Sequence, residues 1–262
     1  MLGLILLTIG GLALGGGGGF LILRAVRPQQ LKVAPLGPAT PVPIQPLPSG
    51  KADGTVQPPG DSAPVVSAAG SCPAGMRLVG GGAFKMGTAP DDSMSFIDER
   101  PLTSVQVSAF CVDEYEYPNR GGAQPKVEVS WEEALSLCER AGKRLCTEEE
   151  WEKACKGPGN ARFPYGNTYD ADVCNTETSS GDDRPLAASG RFARCRSSYG
   201  VVDLSGNVAE WTATRFDKSD FTLKGGAFDL PDYTSRCSAR KNAAPSERSD
   251  SVGFRCCAGV SP

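Results

Sequence analysis

Residues 130–158 read SWEEALSLCERAGKRLCTEEEWEKACKGP, and the reading of this stretch decides the fold. Ser130 and Glu133 make a capping box. Trp131, Ala134, Leu135 and Cys138 then fall on one helical face before Gly142 stops the run. Thr147 and Glu150 make a second box, with Trp151, Ala154 and Cys155 on its face and Gly157-Pro158 as the stop. Two short helices are expected. Outward from them the signals are brief alternating runs with glycine-rich turns between: Val105, Val107 and Ala109, then Val127 and Val129, then Val252 and Phe254. Gly81-Gly82-Ala83-Phe84 recurs as Gly225-Gly226-Ala227-Phe228. Two copies are too few for a repeat architecture, so both read as glycine-rich strands.

The chain has 262 residues with 27 Lys+Arg, 30 Asp+Glu, a net charge of −3, 10 cysteines and no histidine. Without histidine there is no Ser-His-Asp or Cys-His triad, no histidine-held zinc and no two-His-one-carboxylate iron. A mildly acidic chain with no basic tract argues against a nucleic-acid binder. All ten cysteines lie between Cys72 and Cys257. An even count in one segment reads as a disulfide framework and implies an oxidising compartment.

Three zones follow. Residues 1–24 read as a transmembrane anchor, since residues 1–23 carry no charge and about 20 apolar residues span a bilayer; a cleaved signal peptide is the alternative. Gly15 to Gly19 weaken a helix there. Arg24, Arg27 and Lys32 flank the run on its C-terminal side and argue for a cytoplasmic domain. The cysteines argue the opposite, and ten thiols outweigh one flank. Residues 25–71 read as a disordered, proline-rich linker. Residues 72–262 are one α+β domain, long enough to bury a core.

Within that domain a series of segments occurs in order. They are Gly81-Gly82-Ala83-Phe84-Lys85-Met86-Gly87, Asp98-Glu99-Arg100-Pro101, Glu116-Tyr117-Pro118-Asn119, Val129-Ser130-Trp131 and Gly142-Lys143-Arg144-Leu145. Thr147-Glu148, Glu150-Trp151-Glu152, Pro164-Tyr165-Gly166-Asn167 and Tyr199-Gly200-Val201 follow. The series closes with Asp203-Leu204-Ser205-Gly206-Asn207-Val208-Ala209-Glu210-Trp211, Lys224-Gly225-Gly226-Ala227-Phe228, Arg236-Cys237 and Gly253-Phe254-Arg255-Cys256. Together they resemble the formylglycine-generating enzyme family, the sulfatase-modifying factors, whose fold is C-type-lectin-like. The resemblance implies disulfides Cys138–Cys256 and Cys155–Cys237. The other six cysteines allow 15 pairings, of which we favour Cys72–Cys111, Cys174–Cys195 and Cys146–Cys257.

The family's oxidases hold copper on two cysteine thiolates placed between the second glycine-rich segment and the Arg-Cys pair. Here that interval, Asp229 to Arg236, has no cysteine. Another branch uses histidine-bound iron, which this chain cannot supply. Adjacent Cys256 and Cys257 would point to opposite faces of a strand, which does not suit a relocated copper pair. The resemblance also implies calcium at Asn175, Thr176, Ser205, Gly206, Val208 and Glu210, with Asp182 or Asp183 as further donors, because Ca²⁺ takes six to eight oxygens. The alternative for Asn207 and Glu210 is a tethered turn beside a core Trp211. Asp229, Asp232, Tyr233 and Arg236 border the family's ligand face and are the candidate binding residues. The same architecture serves as a ligand-binding scaffold in bacterial variable receptors, a fold-level analogy. The expectation is a membrane-anchored, exported, non-catalytic domain that binds a protein, peptide or glycan. A formylglycine-generating oxidoreductase and a structural surface protein are the alternatives.

Overall fold

Both capping boxes form. Ser130 Oγ accepts from the Glu133 amide while the Glu133 carboxylate accepts from the Ser130 amide, and α1 runs Trp131–Arg140. Thr147 and Glu150 repeat the exchange at the start of α2, Glu148–Lys156. The computed structural model describes residues 70–261. The expected anchor at 1–24, and all but the last two residues of the expected linker at 25–71, lie outside them. Among the described residues no helix is long and apolar enough to cross a membrane.

The strands form three small sheets. β1 (Met76–Val79), β4 (Phe110–Asp113), β10 (Cys256–Gly259) and β5 (Arg144–Leu145) lie in that order. β2 (Gly82–Met86) and β3 (Thr103–Val107) make a two-stranded antiparallel ribbon. β8 (Arg240–Ala243), β7 (Phe221–Lys224), β6 (Ala209–Arg215) and β9 (Val252–Phe254) form the third, with β6 and β9 parallel. Ser71 also bridges to Ser261, joining the two ends of the described chain.

Two expected strands are corrected. Val127 and Val129 alternate, but Glu128 between them sits at φ 54°, a left-handed conformation that no strand accommodates. Val129 is buried for another reason: its carbonyl accepts from Trp211 Nε1 at 3.0 Å. The first glycine-rich copy enters β2, whereas the second leaves β7 and turns. Gly225 and Gly226 have φ 95° and 66°, and a Cβ on Gly226 would fall 2.7 Å from Ser235 Oγ.

One core gathers Trp151 with Val79, Phe110, Val112 and Leu204. The other gathers Trp211 with Leu145, Phe221, Leu223 and Phe254. Helix α2 departs from the one-faced burial that its sequence suggests. Glu148, Glu150, Glu152, Lys153 and Lys156 are all buried along with Trp151, Ala154 and Cys155. Charges withdrawn from water need partners, and other elements bring them. Glu148 meets Arg100 at 3.0 Å and Arg240 at 2.7 Å. Glu152 meets Lys156 and Lys224, each at 2.9 Å. Glu150 meets Arg144 at 2.6 Å.

Five disulfides join these pieces: Cys72–Cys111, Cys138–Cys256, Cys146–Cys257, Cys155–Cys237 and Cys174–Cys195. Strand alternation in β10 sends Cys256 toward α1 and Cys257 into the Trp151 core. Five bridges in one small domain point to an oxidising compartment.

Candidate functional site

The segment from Asp229 to Arg236 leaves the Gly225-Gly226 turn and closes in a single 3₁₀ turn, Asp232–Thr234. Asp232 Oδ1 accepts from the neighbouring Tyr233 amide at 2.8 Å. Tyr233 stands 37% exposed and stacks on Phe96, with ring centroids 4.9 Å apart. Together they rim a cavity of about 260 Å³ whose lining includes Leu223, Leu230, Arg240 and Lys241. The side-chain oxygen Oδ1 of Asp229 is buried without a hydrogen-bond partner.

Arg236 is not a surface anchor, which corrects its place in the candidate set. Its side chain is fully buried. The guanidinium pairs with Glu99 and donates to the Met94 carbonyl at 2.6 Å and to the Tyr233 carbonyl at 3.2 Å. Arg236 therefore fastens the loop carrying Phe96 to the turn carrying Tyr233. Phe96 escaped the sequence reading. Its only local sign is the apolar Met94, Phe96 and Ile97 in an otherwise polar loop, with Ile97 98% exposed.

The positions matched to calcium make the following contacts. Asn175 and Gly206 form a bridge, and the Asn207 amide donates to the Asn175 carbonyl at 2.7 Å. Thr176 Oγ1 lies 2.7 Å from the Tyr169 hydroxyl, and Ser205 Oγ donates to the Ser235 carbonyl. Val208 is a core side chain. Glu210 is paired within the chain. Both of its oxygens accept from Arg255, at 2.6 to 3.0 Å, and Oε2 also accepts from Trp151 Nε1 at 2.7 Å. The carboxylate that would neutralise Ca²⁺ is already committed to a buried guanidinium. Asp182 and Asp183 are exposed, and Asp182 accepts from Ser180 Oγ.

Arg255 also organises two further acids. Glu116 is 1% exposed and accepts from Asn207 Nδ2 at 2.8 Å and from Ser189 Oγ. Asp203 accepts from the Gly190 amide at 2.6 Å. Burial, and then the charge of Asp203, push the Glu116 carboxyl up to about 8. Burial pushes Asp203 up to about 6. Burial opposes the charge on Arg255, yet the Glu210 carboxylate holds its pKa above the ordinary value.

No thiol is free: all ten cysteines are in the five bridges. Thiolate-held copper needs two reduced sulfurs, so the residues present do not fit the metal of the family's oxidases.

A family model described as "Sulfatase-modifying factor enzyme 1-like domain" matches residues 117–260. The chain belongs to this family. Among curated relatives of this sulfatase-modifying factor domain is a Bos taurus protein named "Inactive C-alpha-formylglycine-generating enzyme 2". It is 34% identical over 152 residues, covering 52% of this chain and 50% of the relative. The Bos taurus "Formylglycine-generating enzyme" is 32% identical over 167 residues, covering 53% and 45%. The chain thus spans about half the length of the curated relatives it matches. Among solved structures, PvdO from Pseudomonas aeruginosa has a TM-score of 0.61 at 24% identity, over 70% of this chain and 94% of that one. At that identity the likeness concerns the fold alone.

Proposed function

We propose that this domain is a non-oxidising member of the sulfatase-modifying factor family that binds a protein, peptide or glycan at the cavity between Phe96 and Tyr233. One observation carries the reading: every cysteine of the chain is spent in a disulfide. A copper oxidase must keep two thiols reduced and close together. The paired aromatic rim, held in place by buried Arg236, supports ligand binding, because aromatic anchors on a fixed frame bind at small entropic cost. The relative named inactive is consistent with this reading. We further infer that residues 1–24 anchor the chain in a membrane with the domain on the exported side. Calcium has no role in this reading, since Glu210 already serves Arg255.

The test pairs chemistry with binding. A Cys-x-Pro-x-Arg peptide is incubated with unreduced protein, Cu(I) and oxygen, and its mass is measured. The cysteine should persist, and its conversion to an aldehyde would mean an oxidase after all. Peptide and glycan arrays probed with wild type and Tyr233→Ala supply the other half. A signal lost in the variant supports the site; flat arrays favour a structural surface role.

A further inference from the structure

Helix α2 buries two lysines three residues apart, and their surroundings differ. Lys156 Nζ donates to the Gly87 carbonyl at 2.6 Å and the Lys85 carbonyl at 2.9 Å, and pairs with Glu152 at 2.9 Å. Lys153 is 4% exposed, and its ammonium has one partner among the described residues, the Gly82 carbonyl at 2.8 Å. An ammonium carries three donors, and a buried cation without a counter-charge is costly. No carboxylate of the described residues reaches Lys153 within ion-pair distance. Burial alone lowers its pKa, with no acid acting against it.

Lys153 forms part of the wall of a cavity of about 470 Å³, separate from the one between Phe96 and Tyr233. Phe84, Tyr199 and Pro158 give this cavity an apolar wall, and Ser104 and Asn160 give it polar groups. Lys85, exposed, is the second cation, and no Asp or Glu lines the space. The backbone at Gly80 is open: a Cβ there would meet nothing within 4 Å. The size is that of a small-ligand pocket. The lining therefore offers two positive charges, no negative one, and two aromatic rings.

We propose that this cavity binds a small ring-bearing oxyanion, its anionic head on Lys153 with Lys85 beside it and its ring against Phe84 and Tyr199. The bound anion supplies the counter-charge that the protein withholds from Lys153. The competing reading makes Lys153 a tether between α2 and the start of β2, with no ligand.

The full chain, disulfides intact, is titrated calorimetrically with benzoate, phenyl sulfate and phenyl phosphate. Inorganic phosphate and neutral benzyl alcohol are the controls. Saturable binding of at least one ring oxyanion is expected, with the ranking among the three naming the head group; inorganic phosphate binds more weakly and benzyl alcohol not at all. Lys153→Met should weaken the bound probe by at least about tenfold, or about 1.4 kcal/mol. Affinity should fall as pH rises through the lowered pKa of Lys153. A second variant guards against misfolding: Tyr199→Ala should weaken the ring probes and leave inorganic phosphate unchanged. Failure of all three ring oxyanions to saturate overturns the proposal. So does unchanged affinity in folded Lys153→Met, or an unchanged ring preference in Tyr199→Ala.

Discussion

Replacing Arg255 by methionine removes the one cation in a dry pocket of three acids. The guanidinium donates to both oxygens of Glu210 and to the carbonyls of Asp113, Glu114 and Val202. Methionine fills much of the space but offers none of those donors. Glu210, 0% exposed, keeps only Trp151 Nε1. Removing one partner of a buried ion pair costs about 3–5 kcal/mol because the other charge is left uncompensated. The orphaned carbonyls place the expected loss in the upper half of that range. Glu210→Gln should cost less, since Arg255 can still draw on Asp203 for negative charge. Changing both, Glu210→Gln with Arg255→Met, should recover part of the single-variant loss, because no unpaired ion remains. Urea unfolding with the disulfides intact measures each variant through its midpoint at constant slope. A deficit below about 1 kcal/mol at neutral pH, the size expected of an exposed pair, would refute the reasoning. A calcium-induced stabilisation of wild type that Glu210→Gln abolishes would support a metal at this turn.

Three further outcomes are expected. Glu116 rises from an ordinary 4.5 to about 8 on folding, so between those values the folded chain holds a proton that the unfolded chain has lost, and stability falls as pH rises; Glu116→Gln should flatten that slope in denaturant titrations across the window. Replacing both Cys138 and Cys256 by alanine opens a bridge 118 residues apart in sequence and should cost about 2–5 kcal/mol, read as a lowered midpoint. Phe96→Ala and Tyr233→Ala, both at the surface, should change stability by less than about 1 kcal/mol while weakening any ligand of the cavity, whereas Arg236→Met should lower both stability and binding.

Much of the frame could be read directly from the residues. The capping boxes at Ser130 and Thr147 act through backbone groups three residues away, so their signal is complete within one turn. Cysteine number and clustering signalled the framework, and the ordered motifs signalled the family. The misreadings share a cause. The alternation at Val127 and Val129 looked like a strand because periodicity is blind to the φ of Glu128. The second glycine-rich copy looked like the first because composition is blind to Ser235 arriving against Gly226. Arg236 looks available because charged residues are usually solvated, and nothing nearby in sequence announces Glu99 as its partner or Arg255 as the partner of Glu210.

Local chemistry along the chain was enough to start and stop both helices and to point to an oxidising compartment. It could not say which charges would be dry. That depends on segments brought together from far apart, such as Glu99 with Arg236 and Glu210 with Arg255, and on the desolvation that their packing imposes. The aromatic rim is of the same kind: Phe96 and Tyr233 are ordinary loop residues until a buried arginine pins their loops together.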